Sequence, residues 1–575
     1  MAYPTSPAPR MPTASVRVVV LILVAAVVIG SFGTFLNARY YAGNQPFYDS
    51  CSYNTRVHGV MRTCRESGLP AALRRSCSPR DTVCLPYFAA SFLGLATEPS
   101  RAIGTWIQVA ELTVFCLSLL YFLTAIQGWS PGNAALAIAP LVLLRCLWKC
   151  NGGISDFRMD LGLMLGYWTT AIWYVIAARS GWRSHFIVLG IACGLTCLLR
   201  ATAPLYIVFG LAPLACIDTF RTADRRRWLA NLCVAVTTAG AVGLWFYLLN
   251  FKFLHYYYFV WNCDANARLP LRDSLQHVRF AFKHVGLATL LYAVAFRWLA
   301  FGPGSITAWD RPTLLSAVRA VAPRPALVWL ALAPVGMLVL QGAGLNPFVS
   351  MPSTLGLALV ALLPPQRSAE MIPPLSRRSM ALLVAVLIPF ATITGGYAIY
   401  EHRGPEPTTM PAHKELLRAM AEDAATSRKK HVTFSATCIA QLHTDSLMNV
   451  ALFDLPEART MADVTTVNGV ALAPDMAFAA AAEADWKSVP GATDREKCDW
   501  LCGHAVAAVD YLIMPTEETC EFLTANLGHC VINRYVGTLR RQLLEAGTWE
   551  CVVPEISNTS QERFSLYRNT TRLIP

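Results

Sequence analysis

The stretch Val18-Val-Val-Leu-Ile-Leu-Val-Ala-Ala-Val-Val-Ile-Gly30, carried on to Leu36, contains no charged residue. It meets the roughly 18 apolar residues that mark a membrane helix. Its end lacks a convincing small-residue cleavage site, so it reads as a retained anchor and not a removed signal peptide. Directly after it comes Asn44-Gln-Pro-Phe-Tyr48-Asp49-Ser50-Cys51-Ser-Tyr53-Asn54. This segment sets one carboxylate among aromatic and hydroxyl side chains at the exit of the span.

Outward from that anchor the same composition continues. The chain has 575 residues, 54% hydrophobic and only 15% charged, too apolar for a water-soluble protein of this size. Further apolar runs predict spans at 104–126, 131–149, 160–178, 184–199, 202–219, 228–250, 283–302, 325–342, 346–364 and 379–399, about eleven in all with the first. The expected fold class is a polytopic α-helical membrane protein. Residues 1–17 form a cytoplasmic N-terminus, and residues 18–400 a multi-span domain with a first outer loop at 37–102. Residues 401–575 form an exported soluble α/β domain. In the tail, strand-like runs at His431–Phe434 and Ala508–Met514 alternate with helical patterns near Ala412–Thr426 and Gly537–Ala546. In the first loop, Leu69–Leu73 and Leu85–Leu95 read as short helices on the membrane surface.

The formal charge of +12 does not signal nucleic acid. Five clusters, Arg10 and Arg17, Arg179 and Arg183, Arg221 to Arg227, Arg311 to Arg324, and Arg367 to Arg378, fall on one side of the predicted topology, as cytoplasmic segments require. The exception is the first outer loop, with Arg56, Arg62, Arg65, Arg74, Arg75 and Arg80, which is long enough to cross despite its charge. Cysteines give a second expectation. Cys51, Cys64, Cys77 and Cys84 lie in the first loop, and Cys438, Cys498, Cys502, Cys520, Cys530 and Cys551 in the tail. Even-numbered groups on the outer side read as disulfides of an oxidising compartment. For Cys498 and Cys502 a disulfide is favoured over metal, because no second matching pair follows.

Ionisable side chains then gather on the outer rim. The third span ends Arg145-Cys-Leu-Trp-Lys149, which would set Arg145 and Lys149 on one helical face. Next comes Gly152-Gly153-Ile-Ser155-Asp156-Phe-Arg158-Met-Asp160. Arg200 sits in the tight turn between the fifth and sixth spans. After the seventh span, Trp261-Asn-Cys-Asp264-Ala-Asn266 follows an aromatic run, with His277 beyond it. Glu111 lies inside the second span, where a carboxylate is costly. Bland readings stand beside these: a helix cap for Asp49, helix-dipole charge for Asp156 and Asp160, headgroup contact for Arg200, and local packing for Glu111.

Carboxylates and cations at the membrane–water boundary suit transfer of a sugar from a phospholipid carrier. A carboxylate acts as base on the acceptor hydroxyl, and cations hold the departing phosphate. The order of parts resembles the integral-membrane GT-C glycosyltransferases that use polyprenyl-phosphate-linked sugars: protein O-mannosyltransferases, aminoarabinose transferases and RgtA/B/C/D-like enzymes. The resemblance rests on Tyr48-Asp49-Ser50 opening the first loop, Gly153 to Asp160, Trp261 to Asn266, and the outer C-terminal domain. It implies catalytic Asp49, with Asp156 as the candidate second acid, because Ser50 stands where many relatives carry an adjacent acidic residue. The expected substrate-binding residues are Arg200, Arg145, Lys149, Tyr53, Asp160, Trp261, Asp264, Asn266 and His277. The partners would be the lipid-linked donor, a lipid, glycan or protein acceptor, and the membrane. No metal ligand set is predicted; a divalent cation would suit the carboxylates, but the sequence requires no cofactor. The site would face the periplasmic or extracytoplasmic side. A secondary transporter or lipid flippase is the alternative, disfavoured because the acids cluster at one rim and no inverted repeat is evident. A scaffolding subunit would make the rim charges dispensable.

Overall fold

The structure, a computed structural model, describes residues 13–44, 48–77, 81–255, 270–301, 325–341, 349–363, 375–403, 409–438, 440, 442–455, 459–461, 464–475, 489–527, 531–559 and 561–572. Its helices in chain order begin with α1 (Thr13–Tyr41), α2 (Tyr48–Ser67), α3 (Leu69–Cys77), α4 (Leu85–Leu93), α5 (Ala102–Tyr121) and α6 (Pro131–Val142). There follow α7 (Met159–Ser180), α8 (Arg183–Leu199), α9 (Ala203–Arg221), α10 (Arg225–Leu249), α11 (Gln276–Val285) and α12 (Leu287–Phe301). The apolar series closes with α13 (Pro325–Gln341), α14 (Met351–Leu362) and α15 (Arg377–Glu401).

The expected spans fall on these helices, but not uniformly. Among the described residues six helices are long and apolar enough to cross a membrane: those at Val16–Tyr41, Ala102–Ile126, Met159–Ser180, Ala203–Arg221, Arg225–Leu249 and Arg377–Glu401. A seventh counts if Leu271–Val285 and Leu287–Leu299, bent by 62°, form one span. The bend falls at Gly286, whose φ of +78° breaks the helical path at little steric cost. The helices at Pro131–Val142, Arg183–Leu199, Pro325–Leu340 and Met351–Leu362 are apolar but shorter.

Helix α7 is the centre of the bundle. Its most apolar window is 78% buried, against 17% for those of α1 and α10. A helix apolar on every face must be surrounded by protein, whereas α1 and α10 show an apolar surface outward, as lipid contact demands. Trp168 of α7 is 1% exposed and donates its indole N–H to Pro352 O at 2.5 Å. Gly356 leaves room for that ring: a Cβ there would fall 2.3 Å from Trp168. Gly181, at φ +66°, caps α7 at its far end, and Asp160 lies in its first turn.

The C-terminal portion contains α16 (Met410–Thr426), β1 (His431–Ala436), α17 (Thr444–Asp454), β2 (Arg459–Met461), β3 (Val464–Val467) and β4 (Val470–Pro474). It continues through α18 (Asp494–Ala508), β5 (Tyr511–Pro515), α19 (Glu517–Leu527), α20 (Val531–Glu545), β6 (Trp549–Ser557) and β7 (Arg563–Asn569). The strands form one seven-stranded mixed sheet in the order β2-β3-β4-β1-β5-β7-β6, with β1 parallel to β4 and β5. Along β5 alternate residues serve opposite faces. Tyr511 and Ile513 join the core under α16, α17 and α19, while Leu512 and Met514 join the core under α18 and α20. All of β5 is therefore buried, the pattern of a strand covered on both faces.

Two expectations are corrected. The third predicted span does not run to Lys149: α6 ends at Val142 and the chain re-forms as a 3-10 turn over Arg145–Trp148, with Lys149 extended. Arg145 and Lys149 thus share no α-helical face. The disulfides are not found either: among the described residues no two cysteines stand at disulfide distance. Cys64 and Cys84 are buried as small apolar side chains, and the Cys84 thiol donates to Ser76 O at 3.3 Å. Cys498 and Cys502 lie one turn apart on α18, where the helix holds their Cβ vectors in parallel and cannot bring the sulfurs together. Cys530 lies outside the described residues.

Candidate active site

The end of the bundle where α1 leaves and α5 enters is organised by the loop from Cys150 to Arg158. Two adjacent glycines shape it. Gly152 has φ +85° and donates its N–H to Asp156 Oδ2 at 2.6 Å. Gly153 has no room for a side chain: a Cβ would lie 2.4 Å from Lys149 O and 2.7 Å from Leu147 O. The loop can therefore fold tightly enough for Ile154 N to reach Leu147 O at 2.8 Å.

Three helices and the residue that follows a fourth pin this loop. From α1, Asn37 donates to Ser155 O at 2.9 Å. From α2, the Ser50 hydroxyl donates to Asp156 Oδ1. From α5, Gln108 Nε2 donates to Arg158 O at 2.8 Å and lies 3.3 Å from Asp156 O. Beyond α15, His402 Nε2 meets the Ser155 hydroxyl. Asp156 itself has no exposed surface, and Arg158 Nε stands 3.6 Å from its Oδ2. A buried carboxylate is tolerable only when hydrogen-bonded and paired; here a hydroxyl, a backbone N–H and a guanidinium supply that.

Beside this knot lies a second pair. Asp160 is 2% exposed, and Arg200 Nη1 stands 2.9 Å from its Oδ1. Arg200 is extended between α8 and α9, and 19% of its side chain is exposed. Its guanidinium is thus oriented by a buried carboxylate on a side chain that is not fully enclosed. Asp160 also complements the positive N-terminal end of α7.

The other sequence-selected residues distribute as follows. Tyr53, one turn along α2, is buried with its ring edge-on to Phe157 at 6.5 Å. Arg145 lies over the Tyr397 ring at 4.0 Å, and Lys149 Nζ stands 3.4 Å from His284 Nε2, so the two cations serve different neighbours. Burial lowers the Lys149 ammonium from its usual value, opposed by Glu401. His277 is fully buried on α11. Glu111 packs against Gly162, where a Cβ would fall 2.9 Å from its Oε2. Asp49 is the second residue of α2; its side chain, and Trp261, Asp264 and Asn266 entirely, lie outside the described residues. Among the described residues no group of three His, Cys, Asp or Glu side chains is arranged to hold a metal ion.

Sequence reasoning missed the pins. Ser50 was read only as the position where an acid is missing, yet its hydroxyl is what meets Asp156. Gln108 and His402 gave one weak signal each, a polar side chain in or beside an apolar run. Asn37 and Ser155 gave none.

No family model matches the chain, and no curated protein matches it in sequence. By structure it is similar to ArnT from Cupriavidus metallidurans bound to undecaprenyl phosphate, with a TM-score of 0.54 at 11% identity over 97% of this chain and 99% of that one. ArnT in the apo state gives 0.50 at 13% identity over 98% of this chain and 100% of that one. The likeness extends from the first helix through the C-terminal sheet: this chain is an integral membrane protein with the fold of ArnT.

Proposed function

We propose that the protein is a glycosyltransferase that moves a sugar from a polyprenyl-phosphate carrier to an acceptor on the outer side of the membrane. The observation that carries this reading is the meeting, at one end of the bundle, of the first turn of α2 with the Asp156 loop and the Asp160–Arg200 pair. The fold likeness to a protein solved with undecaprenyl phosphate supports it.

In this reading an acceptor oxygen attacks the anomeric carbon of the donor sugar, and the bond from that carbon to the phosphate oxygen breaks. Asp49 takes the acceptor's proton, since a sugar or lipid hydroxyl is too weak a nucleophile unaided. The lipid phosphate leaves with the bonding electron pair, and Arg200, oriented by Asp160, faces the growing negative charge. Asp156 serves as the anchor that fixes Ser50, and hence the residue before it. It is enclosed, and groups of its own protein engage both oxygens. Arg145, Lys149 and His277 lie around the donor side, and the 261–266 segment is assigned to sugar or acceptor contacts. Residues 401–575 form the outer domain.

The test is direct. Purified protein in lipid nanodiscs is given undecaprenyl-phosphate-linked sugars and extracts of envelope lipid, glycan and protein. Release of undecaprenyl phosphate that depends on acceptor supports the reading. Carrier that crosses the bilayer with its sugar intact would instead establish the flippase alternative.

A further inference from the structure

Arg101, the residue before α5, is 7% exposed, and its guanidinium is turned toward the C-terminal portion. Desolvating such a group is costly unless its edges are matched. One edge donates to Asn449 Oδ1, from Nε at 3.0 Å and from Nη2 at 2.7 Å. The other meets the Asp454 carboxylate, with Nη1 2.8 Å from Oδ1 and Nη2 against Oδ2. Its faces are covered by Tyr41, at the exit of α1, and Phe453, each ring centroid 5.0 Å from Cζ. A bidentate fork between two stacked rings is a geometry that lysine cannot reproduce.

Asn449 carries the contact onward. Its Nδ2 donates to Cys51 O at 3.3 Å and stands 3.5 Å from the Thr55 hydroxyl, both on α2. Cys51 follows Ser50, the residue that grips Asp156, and the Ser50 carbonyl accepts from Asn54 Nδ2 at 2.8 Å. One amide therefore joins α17 to the first turn of α2, while the guanidinium it leans on joins α17 to the start of α5.

We propose that Arg101, Asn449 and Asp454 form a positioning unit, through which the C-terminal portion fixes the first turn of α2 and so the reach of Asp49. The functional half of this proposal rests on the transferase reading. A base must stand within hydrogen-bond reach of the proton it takes, and a misplacement of about 1 Å can cost on the order of 10²-fold. The C-terminal portion then sets the angle of the helix that bears the base.

Two variants of the full chain in nanodiscs separate positioning from packing. Asn449→Asp keeps an acceptor for Arg101 but loses the donor to Cys51 O. Asn449→Ala loses both. Hydrogen–deuterium exchange should quicken in the first turn of α2 for both variants, and in α17 for Asn449→Ala alone. Turnover by Asn449→Asp should fall by about 10–10²-fold, with the KM for the lipid donor unchanged. Unaltered exchange in the first turn of α2 in both variants overturns the proposal whatever the activity. Quickened exchange with wild-type kcat reduces the unit to packing and also overturns it. A wild-type protein that transfers no sugar from any polyprenyl-phosphate donor defeats the transferase reading instead, and the exchange pattern then stands as the test of the coupling itself.

Discussion

Asp156 and Asp160 stand four residues apart in one acidic stretch, and the protein puts them in opposite company. Asp156 ends a glycine-shaped loop and is enclosed by Ser50, the Gly152 amide and Arg158, none of them exposed to any extent that admits a ligand. Asp160 opens the central helix and is just as deeply buried, but its partner Arg200 remains 19% exposed. The first carboxylate spends its charge on holding two segments together. The second orients a cation whose side chain is only partly enclosed. An acidic cluster read from sequence is therefore not one site with one role, and in the proposed reaction the base is a third carboxylate, Asp49, which precedes the Ser50 that grips Asp156.

The strongest way to break this division is Asp49→Asn. Asparagine is nearly isosteric and preserves helix entry, but it cannot accept the acceptor's proton, so turnover should fall by about 10²–10⁴-fold. Expression, thermal stability and binding of the lipid-linked donor should stay at wild-type levels. A variant that transfers sugar at near wild-type rate would hand the base role to another residue, with Asp156 the first to be tried.

Asp156→Ala probes the enclosed member. It leaves Arg158 buried without its carboxylate and removes the acceptor for Ser50. The cost should be about 3–5 kcal/mol of stability, read as a lowered unfolding midpoint in detergent. Loss of turnover with full stability would instead mean that Asp156 does chemistry. Gly153→Ala should mimic the structural loss through a clash with Lys149 O and Leu147 O, without touching any charge.

Arg200→Ala probes the open member. Loss of a charge-assisted contact to phosphate should weaken donor binding by about 1.5–3 kcal/mol, and Lys should restore only part of it. Unchanged donor affinity would make Arg200 a headgroup contact and leave Asp160 with only a helix terminus to serve.

The sequence made the two ends of this comparison visible to different degrees. Apolar runs located the helices, because a bilayer demands uninterrupted apolar length. They could not reveal that α7 is central, since runs facing lipid and runs facing protein look alike until packing separates them. Arg200 was found because a cation in an apolar turn is expensive, and Gly152-Gly153 drew attention beside the carboxylates. The disulfide expectation failed because small apolar thiols in a packed core have the same spacing as bridged ones. Arg145 and Lys149 were misplaced because a run of apolar residues conceals the point at which an α-helix gives way to a 3-10 turn. Asn449 could not have been found: its importance lies in a contact with Cys51, 398 positions away in sequence.

A further expectation is a pH dependence of the contact between α17 and its neighbours, which holds the enclosed side together. His58 on α2 sets its ring edge-on to Phe453 at 5.3 Å. Burial, helped by Arg62, lowers its pKa from 6.5 to about 4. His413 on α16 lies between Thr409 O and the Ser446 hydroxyl, each at 2.9 Å, and burial likewise lowers it to about 4 against the opposing pull of the Thr409 carbonyl. Both rings are thus neutral in the packed protein from about pH 4 upward, whereas once released they protonate below about 6.5. Between those values the released state binds more protons, so packing should strengthen as pH rises from about 4 to 6.5 and be level above it. Exchange of α17 amides measured across that range should show the slope. His58→Phe, which keeps an aromatic edge against Phe453 but cannot titrate, should flatten part of it, and the remainder should belong to His413. A slope that His58→Phe leaves untouched would remove His58 from the contact and assign the whole dependence to His413.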